Sequence, residues 1–376
     1  MSNALDSAAL DDAIDRVHRA GVPGLFAEVR AGDEVWRGAA GVADLGTGRP
    51  AEPGLRHRVG SVTKTFTAAA VLQQAEAGRI GLDAPVGGYL PELVPGERGE
   101  VITVRMLLDH TSGFPEYLPY AYPSLKAYPV VAETGPESLE EHRFTRFDPA
   151  ELIGMGVSAP PAGTPGGRPG VYSNTNYLLL GRLLEEVTGV PAERYITRHV
   201  IERAGLRDTG FPEGPEVEGP HSRLYESWFG KLDPPRDFSV FDMSWVGPTA
   251  SLVSTVADLN RFYAELFAGR IVGPASLAEM RRTGPVVSQE GRLIAYGLGL
   301  HPMEGEEGHD GPDAFWGHGG TVWGGGTLAM TRADGGRQLA VGMNLQRWNR
   351  LGADGRPQPH PIDAALAALY RVALYG

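Results

Sequence analysis

Cysteine is absent from the 376 residues. Disulfides, thiolate catalysis and cysteine-based metal sites are thereby excluded. Lysine is almost absent: of 34 basic residues, 3 are Lys (Lys64, Lys126 and Lys231) and 31 are Arg. A net charge of −12 leaves no basic excess for nucleic acid or an anionic membrane surface. No run of about 18 apolar residues occurs, so no membrane-spanning helix is expected. Met1-Ser2-Asn3-Ala4-Leu5-Asp6-Ser7 has neither the basic start nor the apolar core of a leader. The expectation is a cytoplasmic protein, or a secreted one if a leader has been removed. A Gly-x-Ser-x-Gly elbow, a His-Glu-x-x-His pair and a phosphate loop are also missing, which removes α/β-hydrolases, zincins and P-loop proteins.

What is present is a soluble globular composition, 42% hydrophobic and 21% charged, with enough length for a large core. The 52 Gly and 30 Pro imply many tight turns. Apolar spacing predicts a helix over 6–20, with Leu10, Ile14 and Val17 on one stripe. Strands over 25–30 and 35–40 flank a turn, which is a hairpin pattern. From 82 to about 241, helical segments alternate with Pro/Gly loops, including a helix over 178–187. The last third reads as a helix over 257–268, strands over 295–300, 315–317, 326–331 and 338–344, and a closing helix over 361–374. The fold expected is α+β: an antiparallel sheet built from both ends of the chain, flanked by helices, with a mostly helical domain inserted. The boundaries fall at 1–82 with 242–376 for the sheet domain and 83–241 for the insert, with the active site at their interface.

Against this background Ser61-Val62-Thr63-Lys64 stands out. Positions i and i+3 share a helix face, so the amine of Lys64 reaches the hydroxyl of Ser61. A serine hydroxyl needs a base to become a nucleophile. An amine of lowered pKa can be that base, whereas a guanidinium stays protonated. With so few lysines, about 0.13 Ser-x-x-Lys matches are expected by chance. Two further motifs follow: Tyr172-Ser173-Asn174, in a loop before a helix, and His318-Gly319-Gly320, where the glycines let backbone approach a ligand closely. Singly, each has an ordinary explanation as a cap, a turn or a packed strand. Together, in this order, they describe an acyl-transfer site.

The pattern resembles the serine β-lactamase and penicillin-binding-protein superfamily, in the branch of class C β-lactamases, D-Ala-D-Ala carboxypeptidases, D-aminopeptidases and related esterases. The resemblance rests on Val59-Gly60-Ser61-Val62-Thr63-Lys64-Thr65-Phe66, Leu107-Leu108-Asp109-His110-Thr111-Ser112-Gly113, Tyr172-Ser173-Asn174-Thr175-Asn176-Tyr177 and Gly317-His318-Gly319-Gly320-Thr321. It implies Ser61 as nucleophile, Lys64 as base and Tyr172 as the residue sharing the proton. It implies an oxyanion hole from the backbone N–H groups of Ser61 and Thr321. It also implies substrate contacts from Asn174, Trp245, His301, His318, Gly319 and Gly320. Two departures are visible. His301 stands where the carboxypeptidases carry a carboxylate-binding Arg, and Gly319 replaces a Thr. An imidazole is not a bidentate carboxylate clamp.

The expected activity is therefore hydrolysis of an ester or amide, D-residue peptides among them, through a Ser61 acyl-enzyme. Alternatives are an acyltransferase, transpeptidase or peptide cyclase using an amine acceptor; a D-Ala-D-Ala carboxypeptidase or β-lactamase; and a non-catalytic ligand-sensing module. The partner expected is a small molecule or peptide, and no cofactor or metal is called for. The acidic run 304–310 reads as a solvated hairpin tip. Tyr117, Tyr120, Tyr122 and Tyr128 lie in a Pro-rich segment that caps the cleft or packs beneath it. Trp316 and Trp323 bracket His318.

Overall fold

The computed structural model describes residues 4–303 and 313–376. The acidic run 304–310 lies outside the described residues. The central sheet has seven strands, paired antiparallel in the order His301–Pro302, Phe315–Val322, Gly325–Arg332, Arg337–Met343, Gly24–Ala31, Glu34–Asp44, Arg49–Pro50. The first and last parts of the chain meet in the middle, where Leu25 lies opposite Met343 and Val29 opposite Leu339.

Alternation along these strands separates two cores. Leu25, Ala27 and Val29 join Leu339 and Val341 beneath the helices Ser7–Arg19 and Pro361–Tyr375. Phe26 and Ala340 point the other way, into one hydrophobic cluster with helices Thr63–Glu76, Asn174–Thr188 and Val256–Phe267. Glu28 shares that second face and is fully buried. Burial alone would raise its pKa. Hydrogen bonds from Arg30 (2.7 Å), Asn260 (3.1 Å) and Arg37 (2.7 Å) reverse the effect and hold it below the usual value.

The helices begin and end where local chemistry allows. Asp6 caps the first by accepting from the Ala9 N–H (3.0 Å). The helix Asn174–Thr188 starts four residues before the predicted 178 and stops at Gly189, which takes the left-handed conformation (φ 73°).

Two predicted strands need correction. The segment over 295–300 does not belong to the central sheet. Leu293–Tyr296 pairs with Gly284–Val287 in a separate three-stranded sheet, and the chain then breaks at Gly299 (φ 72°) before the edge strand His301–Pro302. The strand read as 315–317 runs on to Val322. Among the described residues no helix is long and apolar enough to cross a membrane.

Leu339 lies fully buried between sheet and terminal helices. Leu339→Ala is expected to cost about 2–5 kcal/mol. Urea denaturation checks this as a lower midpoint with an unchanged slope.

Candidate active site

The helix Thr63–Glu76, which follows Ser61, is buried nearly all round, with eleven of its fourteen residues inside. Its polar side chains are accommodated by hydrogen bonds to backbone carbonyls. Thr63 Oγ1 donates to Gly60 (2.7 Å), Thr65 to Gly299 (2.7 Å) and Thr67 to Pro248 (2.6 Å). Ser61 sits in the single 3₁₀ turn Gly60–Val62 that leads into this helix.

Lys64 is fully buried. Its Nζ lies 3.1 Å from Ser61 Oγ, 2.7 Å from Asn174 Oδ1 and 3.2 Å from the Thr249 carbonyl. Burial pulls its pKa down to about 7, while Glu116 pulls the other way. Asn174 is aimed by Glu116, whose Oε2 accepts from the Asn174 backbone N–H (3.0 Å) and side-chain Nδ2 (2.9 Å). Gln289 Nε2 donates to the same oxygen (3.1 Å). Burial raises the pKa of Glu116, and these donors and Lys64 oppose the shift.

Tyr172 closes the cluster, its ring centroid 5.0 Å from Lys64 Nζ. Its hydroxyl is buried and, among the described residues, makes no hydrogen bond of standard geometry. Burial drives its pKa well above 10, with Tyr296 adding to the shift and Ser61 opposing it. The resemblance implies a tyrosine that shares the proton with Ser61 and Lys64. The structure gives a tyrosine that keeps its proton beside a lysine that readily loses one.

Glycine brings the strand Phe315–Val322 against the nucleophile turn. A Cβ on Gly320 would stand 2.0 Å from the Val59 carbonyl oxygen and 2.9 Å from Ser61 N. A Cβ on Gly60 (φ 57°) would stand 2.6 Å from Thr321 N. The backbones of Ser61 and Thr321 therefore lie side by side.

The histidines are held as neutral rings. The Gly319 N–H donates to His301 Nε2 (3.1 Å), so the ring proton sits on Nδ1 and is given to the Pro302 carbonyl (2.9 Å). His318 Nδ1 bonds the Gly319 carbonyl and its Nε2 accepts from the Tyr296 hydroxyl (2.9 Å). Burial, then His301, push the pKa of His318 well below 6.5. His110 is wedged among Tyr172, Tyr177 and Tyr296, at 4.1, 5.3 and 4.8 Å between ring centroids.

Two cavities open at Ser61 and Thr321. The smaller, about 410 Å³, is lined by Tyr172, His301, His318, Gly319 and Gly320. The larger, about 1240 Å³, is lined by Asn174, Trp228, Trp245, Trp323 and Arg347 among others. Trp245 stacks on Trp323 (5.1 Å, 22°) and Tyr122 packs edge-on to both. Tyr117 donates its hydroxyl to the Trp245 carbonyl, Tyr128 lines the larger cavity and Tyr120 is exposed. Trp316 is buried and lines neither cavity. Glu116, Gln289 and Arg347 had no signal in the sequence, since each acts through contacts with distant segments.

A sequence profile for the family described as Beta-lactamase matches residues 10–362. The chain belongs to the β-lactamase family. Among solved structures of similar shape is a D-stereospecific amidohydrolase from Streptomyces sp., 36% identical, with TM-score 0.78 over 91% of this chain and 95% of that one. The D-amino acid amidase of Ochrobactrum anthropi SV3, solved with D-phenylalanine, is 22% identical with TM-score 0.77 over 98% and 99% of the two chains, a likeness of fold. Esterase EstB of Burkholderia gladioli is 32% identical over 217 residues, 55% of this chain. Of the curated relatives it matches, the chain spans 53% of EstB and 63% of the putative penicillin-binding protein PbpX of Bacillus subtilis (strain 168).

In this β-lactamase-family site, Gly320→Ala forces the strand or the nucleophile turn to move. The expected outcome is a loss of at least about 100-fold in kcat on p-nitrophenyl acetate, the scale of one lost oxyanion donor, with circular dichroism unchanged.

Proposed function

We propose that this chain is a serine hydrolase of esters and amides working through an acyl-enzyme on Ser61. The observation that carries it is the desolvated Lys64 amine, 3.1 Å from Ser61 Oγ, with a pKa near 7. Neutral Lys64 takes the Ser61 proton as Oγ attacks the carbonyl. The oxyanion is stabilised by the N–H groups of Ser61 and Thr321, worth roughly 3 kcal/mol each. Tyr172 gives its proton to the leaving nitrogen or oxygen and recovers one from Lys64. In deacylation the acceptor, water or an amine, gives up a proton along the same path and attacks the ester, and Ser61 Oγ is reprotonated.

The cavities give this reaction a direction. Tyr172 lines only the smaller and Asn174 only the larger. A general acid must face the group that departs. The leaving group therefore belongs in the smaller cavity, and the acyl group, its amide held by Asn174, in the larger. Similarity to a D-stereospecific amidohydrolase and to an esterase supports acyl donors with a D-residue at the scissile bond, as amides or esters. His301 shares the small cavity, but both its nitrogens serve backbone groups. That supports a leaving group other than a free C-terminal D-Ala carboxylate.

Three outcomes are expected. Ser61→Ala removes ester turnover, and intact-mass measurement finds a stable acyl adduct on the unmodified protein but not on the variant; turnover that survives the substitution refutes the assignment. The pH profile of kcat/KM rises through an apparent pKa near 7, because only the free amine accepts a proton, and Glu116→Gln moves that limb to lower pH by removing the charge that favours the ammonium. A profile flat from pH 5.5 to 8.5 would exclude Lys64 as base. Lys64→Arg, which cannot deprotonate, loses acylation by at least about 1,000-fold while remaining folded.

A further inference from the structure

Four non-glycine residues among those described adopt positive φ: His110, Trp228 (44°), Phe229 (59°) and Arg347 (53°). Such conformations cost about 1–3 kcal/mol each and persist where the surroundings impose them. Three of the four line the larger cavity. They are bound to one another, since the Phe229 N–H donates to the Arg347 carbonyl (2.7 Å). Beneath them lies Glu226, fully buried, which accepts from the Trp228 N–H (2.9 Å) and the Gly324 N–H (2.9 Å) and forms an ion pair with Arg347 Nη1. One carboxylate thus ties together the three loops that carry Trp228, Trp323 and Arg347.

The guanidinium is held in place by this arrangement. Its centre lies 5.0 Å from the Trp228 ring and 4.9 Å from the Trp323 ring. The side chain keeps 19% exposure, and among the described residues its remaining N–H groups have no hydrogen-bond partner. Glu226 already compensates its charge, so its open N–H groups suit a neutral carbonyl acceptor; elsewhere the cavity lining balances Arg292 and Arg356 against Glu133, Glu290 and Asp354. The cavity, about 1240 Å³, exceeds the roughly 300–1,000 Å³ that encloses a drug-sized ligand. A single amino-acyl group leaves most of it empty.

We propose that Arg347 anchors an amide carbonyl of an extended peptidyl donor, the one beyond the amide held by Asn174, over the Trp228–Trp323 wall. This rests on the Ser61 acyl-enzyme and on the acyl group occupying the larger cavity. It makes Arg347 a specificity residue rather than part of the proton path.

The test uses the purified chain and three p-nitrophenyl ester donors: acetyl, N-acetyl-D-phenylalanyl and N-acetyl-glycyl-D-phenylalanyl. A fourth donor, N-pentanoyl-D-phenylalanyl, copies the longest in length, with two methylenes in place of its acetamide CO–NH. The expected result is a gain in kcat/KM of about tenfold or more from the second donor to the third, the scale of a hydrogen bond to a charged group. The methylene analogue loses that gain. Arg347→Leu reduces the ratio of the third donor to the second to within about twofold. No gain on extension, an equal rate with the methylene analogue, or a ratio retained in Arg347→Leu would each overturn the proposal. The methylene comparison needs no variant, so it decides the matter even if Arg347→Leu does not fold. If no donor leaves an adduct on Ser61, the acyl-enzyme itself fails and this inference with it; an adduct without selectivity sinks the anchor alone.

Discussion

The rest of the site depends on one desolvated amine. A lysine at the surface stays protonated at neutral pH and cannot take a proton from serine. Burying Lys64 completely brings its pKa to about 7, and this single shift makes a neutral amine available beside Ser61 near neutral pH. The cost explains the surroundings. A buried ammonium or amine needs hydrogen-bond partners, and Lys64 finds them in Ser61, Asn174 and the Thr249 carbonyl. Shielding from water requires a helix buried on every side, which the threonine-to-carbonyl bonds of Thr63, Thr65 and Thr67 make possible. Glu116 limits the shift from the opposite direction and fixes the amide of Asn174.

The same low-polarity interior settles the neighbouring groups. A cation close to Lys64 would depress its proton affinity further, and the histidines avoid that role. Backbone groups hold His301 and His318 as neutral tautomers, and burial, with Lys64 adding to it, keeps His110 well below its usual pKa. Tyr172 is pushed the other way and retains its proton. One group therefore readily gives up a proton and its neighbour readily holds one. That pairing of opposed shifts is what acid–base catalysis near neutral pH requires.

Much of this frame was legible in the sequence, and the parts that were not share a cause. The two terminal helices have strong periodic patterns and local caps, the first hairpin has a turn between two apolar runs, and these elements form where those patterns place them. The approach of Ser61, Lys64, Tyr172 and Asn174 was readable because the motifs are short and their residue types are chemically restrictive. The strand Phe315–Val322 was read too short because Gly319-Gly320 resembles a break, when Gly320 is there to admit the Val59–Ser61 backbone. The segment around Leu293–Tyr296 was assigned to the wrong sheet because strand pairing is non-local, and alternation alone does not name a partner. Glu116 was invisible because a glutamate that is buried and one that is solvated look alike in sequence. The aromatic wall is assembled from three loops more than a hundred residues apart along part of its contour, so no window contains its pattern.

This division between local and assembled features also bears on specificity. Ser61, Lys64 and the Thr321 backbone come from a helix turn and one strand, and Gly60 and Gly320 let them pack closely. The cavities are built otherwise. One wall of the smaller is the strand that carries His318, Gly319 and Gly320, while the larger is walled by loops whose strained residues are clamped on Glu226. A substitution in those loops can reshape what enters the larger cavity without moving Lys64 relative to Ser61, because none of the hydrogen-bond partners of Lys64 comes from them. The Ser61–Lys64 pair and the walls of the larger cavity thus come from different parts of the chain. One fold can accordingly sit in proteins described as amidohydrolases, esterases and penicillin-binding proteins, with function set by the sites grafted on it.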